Sequence, residues 1–173
     1  MSLNTLLVSD QMVKDRTSIH GNIDPKLLYP DIKVAQDMYI LPILGSTLFK
    51  RLQTDISTGA IAGDYKSLLD EYIVDCLVYY VLSDLPTSLS YQFWNKGLIR
   101  KSGENAELPS MSELIDISNK YKARAEFYGT RITKYLKENA ASKYPEYLNP
   151  GYGADAIQPD KSTYTCPVYL GDD

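Results

Sequence analysis

The sequence predicts a mainly α protein: a small helical bundle with a long C-terminal helix, a short hairpin or loop around residues 90–102, and an extended C-terminal tail. Three observations carry this. Apolar residues recur at helical spacing from Tyr65 to Tyr80, the stretch from Ser110 to about Ala140 holds a capping signal and no proline, and helical periodicity stops at Tyr144. The chain divides accordingly into an N-terminal arm (1–23), a helical domain (24–143) and a tail (144–173). At 173 residues, 44% apolar and 23% charged, it is long enough for one domain with a substantial core.

Residues 1–23 are weakly patterned and read as an extended lead-in. Asp24-Pro25 is a helix start, a capping side chain followed by proline at the first helical position. Pro30-Asp31 repeats that signal and opens a helix with Ala35, Met38 and Tyr39 on one face. Pro42 lacks a backbone donor and crowds the carbonyl four residues back, so the helix is expected to end or kink there. Gly45-Ser46 then acts as joint and new cap, and Leu48, Phe49 and Leu52 turn inward before Ser57-Thr58-Gly59 closes the segment. Pro42 and Gly45 therefore form a structural corner between two short helices.

Asp64 is expected to cap the next helix. From Tyr72 to Leu82 only Asp75 is not apolar, so this element should be the buried centre, with Pro86 ending it. Asn95-Lys96-Gly97 is a turn signal inside SYQFWNKGLIRKS, between short β-prone pieces. Ser110 and Glu113 fit a capping box. The helix they open runs for ~31 residues, roughly 46 Å at 1.5 Å per residue. Leu114, Ile117, Tyr121, Ala125, Tyr128, Ile132, Tyr135 and Leu136 fall within an arc of about 100° on its wheel. Gly129, mid-helix, costs about 1 kcal/mol against alanine and is explained by close approach of another backbone, or as a tolerated weak spot.

The formal charge of -4 is carried by the tail, where Glu146, Asp155, Asp160, Asp172 and Asp173 outweigh Lys161. The rest of the chain is close to neutral, which disfavours a free-standing nucleic-acid binder. Fifteen tyrosines against three phenylalanines and one tryptophan suit surfaces half-buried against a partner, or reflect a compositional habit. The longest uncharged apolar run, Cys76 to Leu82, is far shorter than the roughly 20 residues of a membrane span. The start of the chain has no basic segment followed by an apolar block, so no signal peptide is expected. Cys76 and Cys166 have no CxxC or CxxH spacing, which fits free thiols in a reducing compartment, and no metal or cofactor is expected.

Chemistry-bearing motifs are sparse. His20 is the only histidine and has no neighbours at ligand or catalytic spacing. No phosphate-cradling glycine loop, HExxH or GxSxG pattern occurs. Asp70 and Glu71 read as the polar side of a buried helix, and Asp75 as a core-edge group with a partner. No catalytic residues are therefore assigned and no enzyme is expected. Lys120, Arg124, Arg131 and Lys134 share a sector of about 80° beside the apolar arc of the last helix. Such a stripe suits an acidic partner or subunit contact, or phosphates; a solvated face self-paired through Asp116–Lys120 and Lys134–Glu138 is the plainer reading. The Tyr/Pro/Gly-rich tail cannot build a core of its own and either lacks fixed structure or lies along a surface such as a neighbouring subunit's. Its STYTCPVYL segment alternates enough to add to another chain's sheet edge, with Pro167 restricting it to edge pairing. Tyr152, Tyr164, Val168 and Tyr169 are accordingly candidate partner contacts.

An amphipathic helix running into YILPILGSTLF, a buried helix, a Trp-Asn-Lys-Gly turn, a long helix ending in KYLKEN, and then YPEY together resemble a phage family. Over residues 25–147 the chain is similar to head–tail connector (neck ring, or adaptor) proteins of tailed bacteriophages, particularly crAss-like phages of Bacteroidetes. Pro42-Ile43-Leu44-Gly45 and FWNKGLIRKSG are its most telling pieces. The resemblance implies a non-enzymatic virion protein, made in the host cytoplasm, that forms a ring, commonly of twelve copies, beneath the portal. Its implied partners are itself, the portal protein, the next neck or tail protein, and DNA passing without sequence-specific binding; no membrane is implied. A small DNA-packaging subunit using the basic stripe is the alternative expectation.

Overall fold

The computed structural model describes residues 4–94, 97–100, 109–154 and 156–161, with the backbone alone for 91–94 and 97–100. Its helices are α1 (Asp10–Asp15), α2 (Pro25–Ala35), α3 (Leu41–Leu44), α4 (Ser46–Ser57), α5 (Gly63–Leu68), α6 (Val74–Ser90), α7 (Met111–Lys143) and α8 (Pro145–Leu148). Strands β1 (Tyr91–Trp94) and β2 (Gly97–Arg100) form an antiparallel hairpin, Tyr91 opposite Arg100 and Trp94 opposite Gly97. This is the mainly helical architecture the sequence predicts. The turn residues 95 and 96 lie outside the described residues.

Helix α6 is the hub. Val74, Cys76, Leu77, Val78, Val81, Leu82 and Leu85 are all buried, an almost complete girdle. Helix α7 runs antiparallel along it, so that Tyr72 meets Tyr135, Cys76 meets Ala125, and Ser118 donates to the Ser83 carbonyl. The α7 capping box is present: Ser110 Oγ accepts from the Glu113 amide at 3.2 Å, and Glu113 Oε2 from the Ser110 amide at 2.7 Å. Gly129 is buried where α7 crosses α3 and α6. A Cβ there would lie 3.2 Å from Ile43 Cδ1 and 3.7 Å from Cys76 Sγ, so close packing explains the glycine.

The corner differs from the expected break. Pro42 does not end the helix. A π-helical turn, Gln36–Ile40, widens the path between α2 and α3, and Leu41 N–H bonds back to Gln36. Widening removes the steric conflict that a proline ring makes with a regular helix. The break falls at Gly45, whose φ of 76° and ψ of 159° belong to a region that is essentially glycine-only. A second π turn, Leu69–Ile73, joins α5 to α6.

Four expected boundaries are also corrected. Pro30 lies inside α2, and the cap is Asp24, which accepts from the Lys26 amide at 2.9 Å. Pro86 lies inside α6, whose C-terminal end is held by Ser88 Oγ donating to Asp31 at 3.0 Å. The helix beginning at Gly63 has no side-chain cap; the Asp64 carboxylate instead pairs with Lys143 at 3.2 Å. The core also outgrows the span 24–143. Leu7, Val8 and Val13 are buried at its N-terminal side, and Tyr144 and Tyr147 at its C-terminal side. Two buried glutamines fix the lead-in: Gln36 and Gln53 both donate to the Thr5 carbonyl, and Gln36 Oε1 accepts from the Leu7 amide.

The described part of the tail returns to the corner. Ser46 N–H donates to the Ile157 carbonyl at 3.0 Å, Ile157 N–H to Ser46 Oγ at 2.8 Å, and Asp160 N–H to the Pro42 carbonyl at 2.7 Å. Pro159 is buried, and a Cβ on Gly45 would sit 2.9 Å from its Cδ. Replacing Gly45→Ala therefore combines a disfavoured backbone with a clash. It is expected to lower stability by about 1–3 kcal/mol, read from urea unfolding. The same variant should speed limited proteolysis between residues 156 and 161. By contrast, Ser110→Ala, which removes only the α7 cap, should cost about 1 kcal/mol.

Candidate functional site

The four cations of the predicted stripe lie on the outer side of α7, where α7 meets α6 along a line of tyrosines. Tyr72 and Tyr135 stack with ring centroids 4.1 Å apart, and Tyr79 stacks on Tyr128 at 5.5 Å and on Tyr121 at 6.4 Å. These rings come together because 72 and 79 are seven apart on one helix, while 121, 128 and 135 repeat that interval on the other. Two turns of helix bring residues seven apart onto the same face.

Arginines cover the rings. Arg131 Cζ lies 4.5 Å from the Tyr72 ring centre, and its Nη1 donates to the Glu71 carbonyl at 3.4 Å. Arg124 sits 5.8 Å from Tyr79 and 5.6 Å from Tyr121. Each such contact contributes about 0.5–1 kcal/mol at an exposed site, and each stacked pair about 0.5–1.5 kcal/mol beyond its burial. The seam continues past Tyr135, whose hydroxyl lies 3.2 Å from that of Tyr144; the latter donates to the Asp64 carbonyl at 2.9 Å. Tyr65 closes it, edge-on to Tyr144 and donating to Glu146 at 2.7 Å. Burial, together with that bond and the Glu146 charge, pushes the Tyr65 hydroxyl up to about 12.

Two shallow grooves flank Arg124. One, about 380 Å³, is lined by Tyr79, Ala123, Arg124, Phe127 and Tyr128. The other, about 320 Å³, lies towards Asp15, Arg16, Thr17 and Ser18 and shares Tyr79 and Arg124. Phe127 stands 68% exposed beside the first groove, the most exposed large apolar side chain on α7. It is the residue the sequence reading missed. Its position between Lys120 and Lys134 on the same helical face was the available signal.

The remaining candidates are placed as follows. Lys120 and Lys134 are exposed, and neither Asp116–Lys120 nor Lys134–Glu138 closes to an ion pair. Asp75 pairs with Arg16 at 2.6 Å, the expected core-edge partner. His20 is exposed and its Nδ1 accepts from the Asn22 amide at 3.2 Å, a local turn contact. Cys76 is buried, and burial raises its thiol well above its ordinary value, so it is a packing residue. Tyr152 is exposed; Tyr164, Val168 and Tyr169 lie outside the described residues, as does Cys166. Among the described residues no group of three or more His, Cys, Asp or Glu side chains is arranged to hold a metal. Nor, among them, is any helix long and apolar enough to cross a membrane.

The model of DUF6712, a family of unknown function, matches residues 40–157. The chain belongs to DUF6712. No curated protein and no solved structure matches it. The DUF6712 match starts at Ile40 and ends at Ile157, so it takes in the corner, α6, the α7 seam and the residue whose amide and carbonyl close on Ser46.

One further pair of acids in this DUF6712 chain responds to pH. Asp31 on α2 and Asp84 on α6 are both raised by burial; Asp84 also raises Asp31, while Ser88 opposes the shift at Asp31, and Ser83 and Lys122 oppose it at Asp84. Asp31 Oδ2 is buried with no hydrogen-bond partner among the described residues. A raised folded-state value favours the neutral form. Its stabilisation is thus fully present below the unfolded value of about 3.9 and is lost as pH rises through the folded value. Asp31→Asn should gain stability relative to wild type between pH about 4 and 7, with the difference shrinking in acid, measured as paired thermal melts across pH.

Proposed function

We propose that this chain is a structural virion protein, forming a homo-oligomeric ring between portal and tail, extending the DNA channel and docking the next neck or tail component. The observation that carries the reading is the exposed face of α7. A helix of 33 residues, about 50 Å long, is braced along one side and presents Phe127 among four cations on the adjoining face. A long rigid helix with an aromatic anchor and a charged rim is the anatomy of a protein–protein contact. The arginines support it too: they are held on tyrosine rings, so little side-chain entropy is lost when a partner meets them. The order of elements over 25–147, which resembles phage neck proteins, is what points the reading to that assembly.

A DNA-handling module is the second reading, favoured by the run Lys120, Arg124, Arg131 and Lys134, with no acid on that face between them. The two readings separate in solution. The connector reading expects purified portal protein to recruit the chain into a ring visible by electron microscopy, and expects no DNA mobility shift that depends on Arg124 and Arg131. A chain that stays monomeric with portal and all neck components present would end the connector reading. A salt-sensitive shift, abolished in the R124A/R131A double variant, would replace it with the second.

A further inference from the structure

Two apolar faces of the described molecule are left uncovered, and they share no residue. The first is the α7 ridge around Phe127. On the helical wheel Lys120, Arg124, Arg131 and Lys134 lie within about 80° of one another with Phe127 among them. The acids of that stripe, Glu113, Asp116 and Glu138, sit beyond both ends of the cationic run. The second face is on α2 and the π turn that follows it. Leu27, Val34 and Met38, spaced by seven and four residues, are all exposed, and Met38 is 59% exposed.

The rims of the two faces have opposite sign. Asp31 borders the Leu27–Val34–Met38 stripe on one edge and Asp37 on the other, and Asp84 of α6 stands close enough to Asp31 to raise it. Lys33 neutralises Asp37 by an ion pair, and Lys122 lies near Asp84; among the described residues no cation is paired to Asp31. The stripe from Leu27 to Met38 is about 16 Å long, and the cationic run from Lys120 to Lys134 about 21 Å, so one can lie along the other.

We infer that the α7 ridge of one copy docks on the α2 stripe of a second copy, Phe127 entering between Val34 and Met38 and the four cations facing the acidic rim. The contact is heterologous: each copy offers a different face, so every copy can accept one neighbour and donate to another. A repeated heterologous contact closes into a ring when its rotation divides a full turn. The inference rests on the reading that the chain assembles with copies of itself. An isologous pairing centred on Phe127 is disfavoured, because an antiparallel α7 pair in that register sets Lys120 against Lys134 and Asp116 against Glu138.

Two exposed-site variants test it. Phe127→Ser removes the ridge, and Met38→Lys places a cation on the stripe; circular dichroism and thermal melts should show both folded, because both side chains stand mostly in solvent. In sedimentation velocity across a concentration series the wild type should self-associate, less so as salt is raised. Each variant alone should remain monomeric. Their equimolar mixture should form dimers and no larger species, because only one intact contact can then be made. Met38→Lys assembling like the wild type would overturn the proposal, as would a mixture that stays monomeric. A wild type that is monomeric at every concentration, with Phe127→Ser still joining portal rings, would also overturn it and leave the connector reading standing. Self-association through these faces with no recruitment by portal would do the reverse.

Discussion

Covering α6 on every side is the constraint from which the rest of the architecture follows. A helix with so complete an apolar girdle cannot sit at a surface, and one neighbour covers only part of its circumference. Helix α7 takes one flank, α2 and its π turn take another, and the lead-in and Tyr144 extend the cover beyond the central span. Proline 86 survives inside α6 for the same reason. One lost backbone bond costs about 3 kcal/mol in an isolated helix, less than the burial of several leucine and valine side chains at about 1.5–3 kcal/mol each contributes.

What the residues revealed in advance followed from how local each signal was. The α7 start was legible because its capping box is complete within four positions, and its buried face because an uninterrupted helix keeps one period. Gly129 was legible as a close approach or a weak spot, but the approach comes from the side chains of Ile43 and Cys76, where a backbone was expected. The prolines at 30, 42 and 86 were misread as boundaries because a proline's effect depends on what else holds the helix. At Pro42 the π turn gives the ring room, and no single residue announces such a turn. The lead-in was opaque for another reason. Leu7 and Val8 look unremarkable until Gln36 and Gln53, which drew no reading from the sequence, turn out to be the groups that satisfy its backbone. The stripe on α7 was found, but the tyrosines beneath it were assigned to no helix-to-helix pairing, since that pairing depends on antiparallel register.

The abundance of tyrosine now has a structural account within the fold. Tyr65, Tyr72, Tyr79, Tyr121, Tyr128, Tyr135 and Tyr144 line one seam, and Tyr39 stacks on Tyr80 at 3.9 Å. Phenylalanine would stack as well, but it would leave the Asp64 carbonyl and the Glu146 carboxylate without the hydroxyls they accept from. The seam also fixes where charge is displayed. Arg124 and Arg131 lie over rings that are themselves held, which gives their positive charge a defined position on the surface.

The corner at Gly45 joins residues that are far apart in time as well as in sequence. Ser46 leaves the ribosome 111 positions ahead of Ile157. Contacts of such separation carry the loop-closure cost that slows folding. The bonds from Ile157 and Asp160 occupy the Ser46 amide and the Pro42 carbonyl on either side of the bend at Gly45. Residues 156–161 therefore act as a latch: they set the geometry of a joint formed long before them.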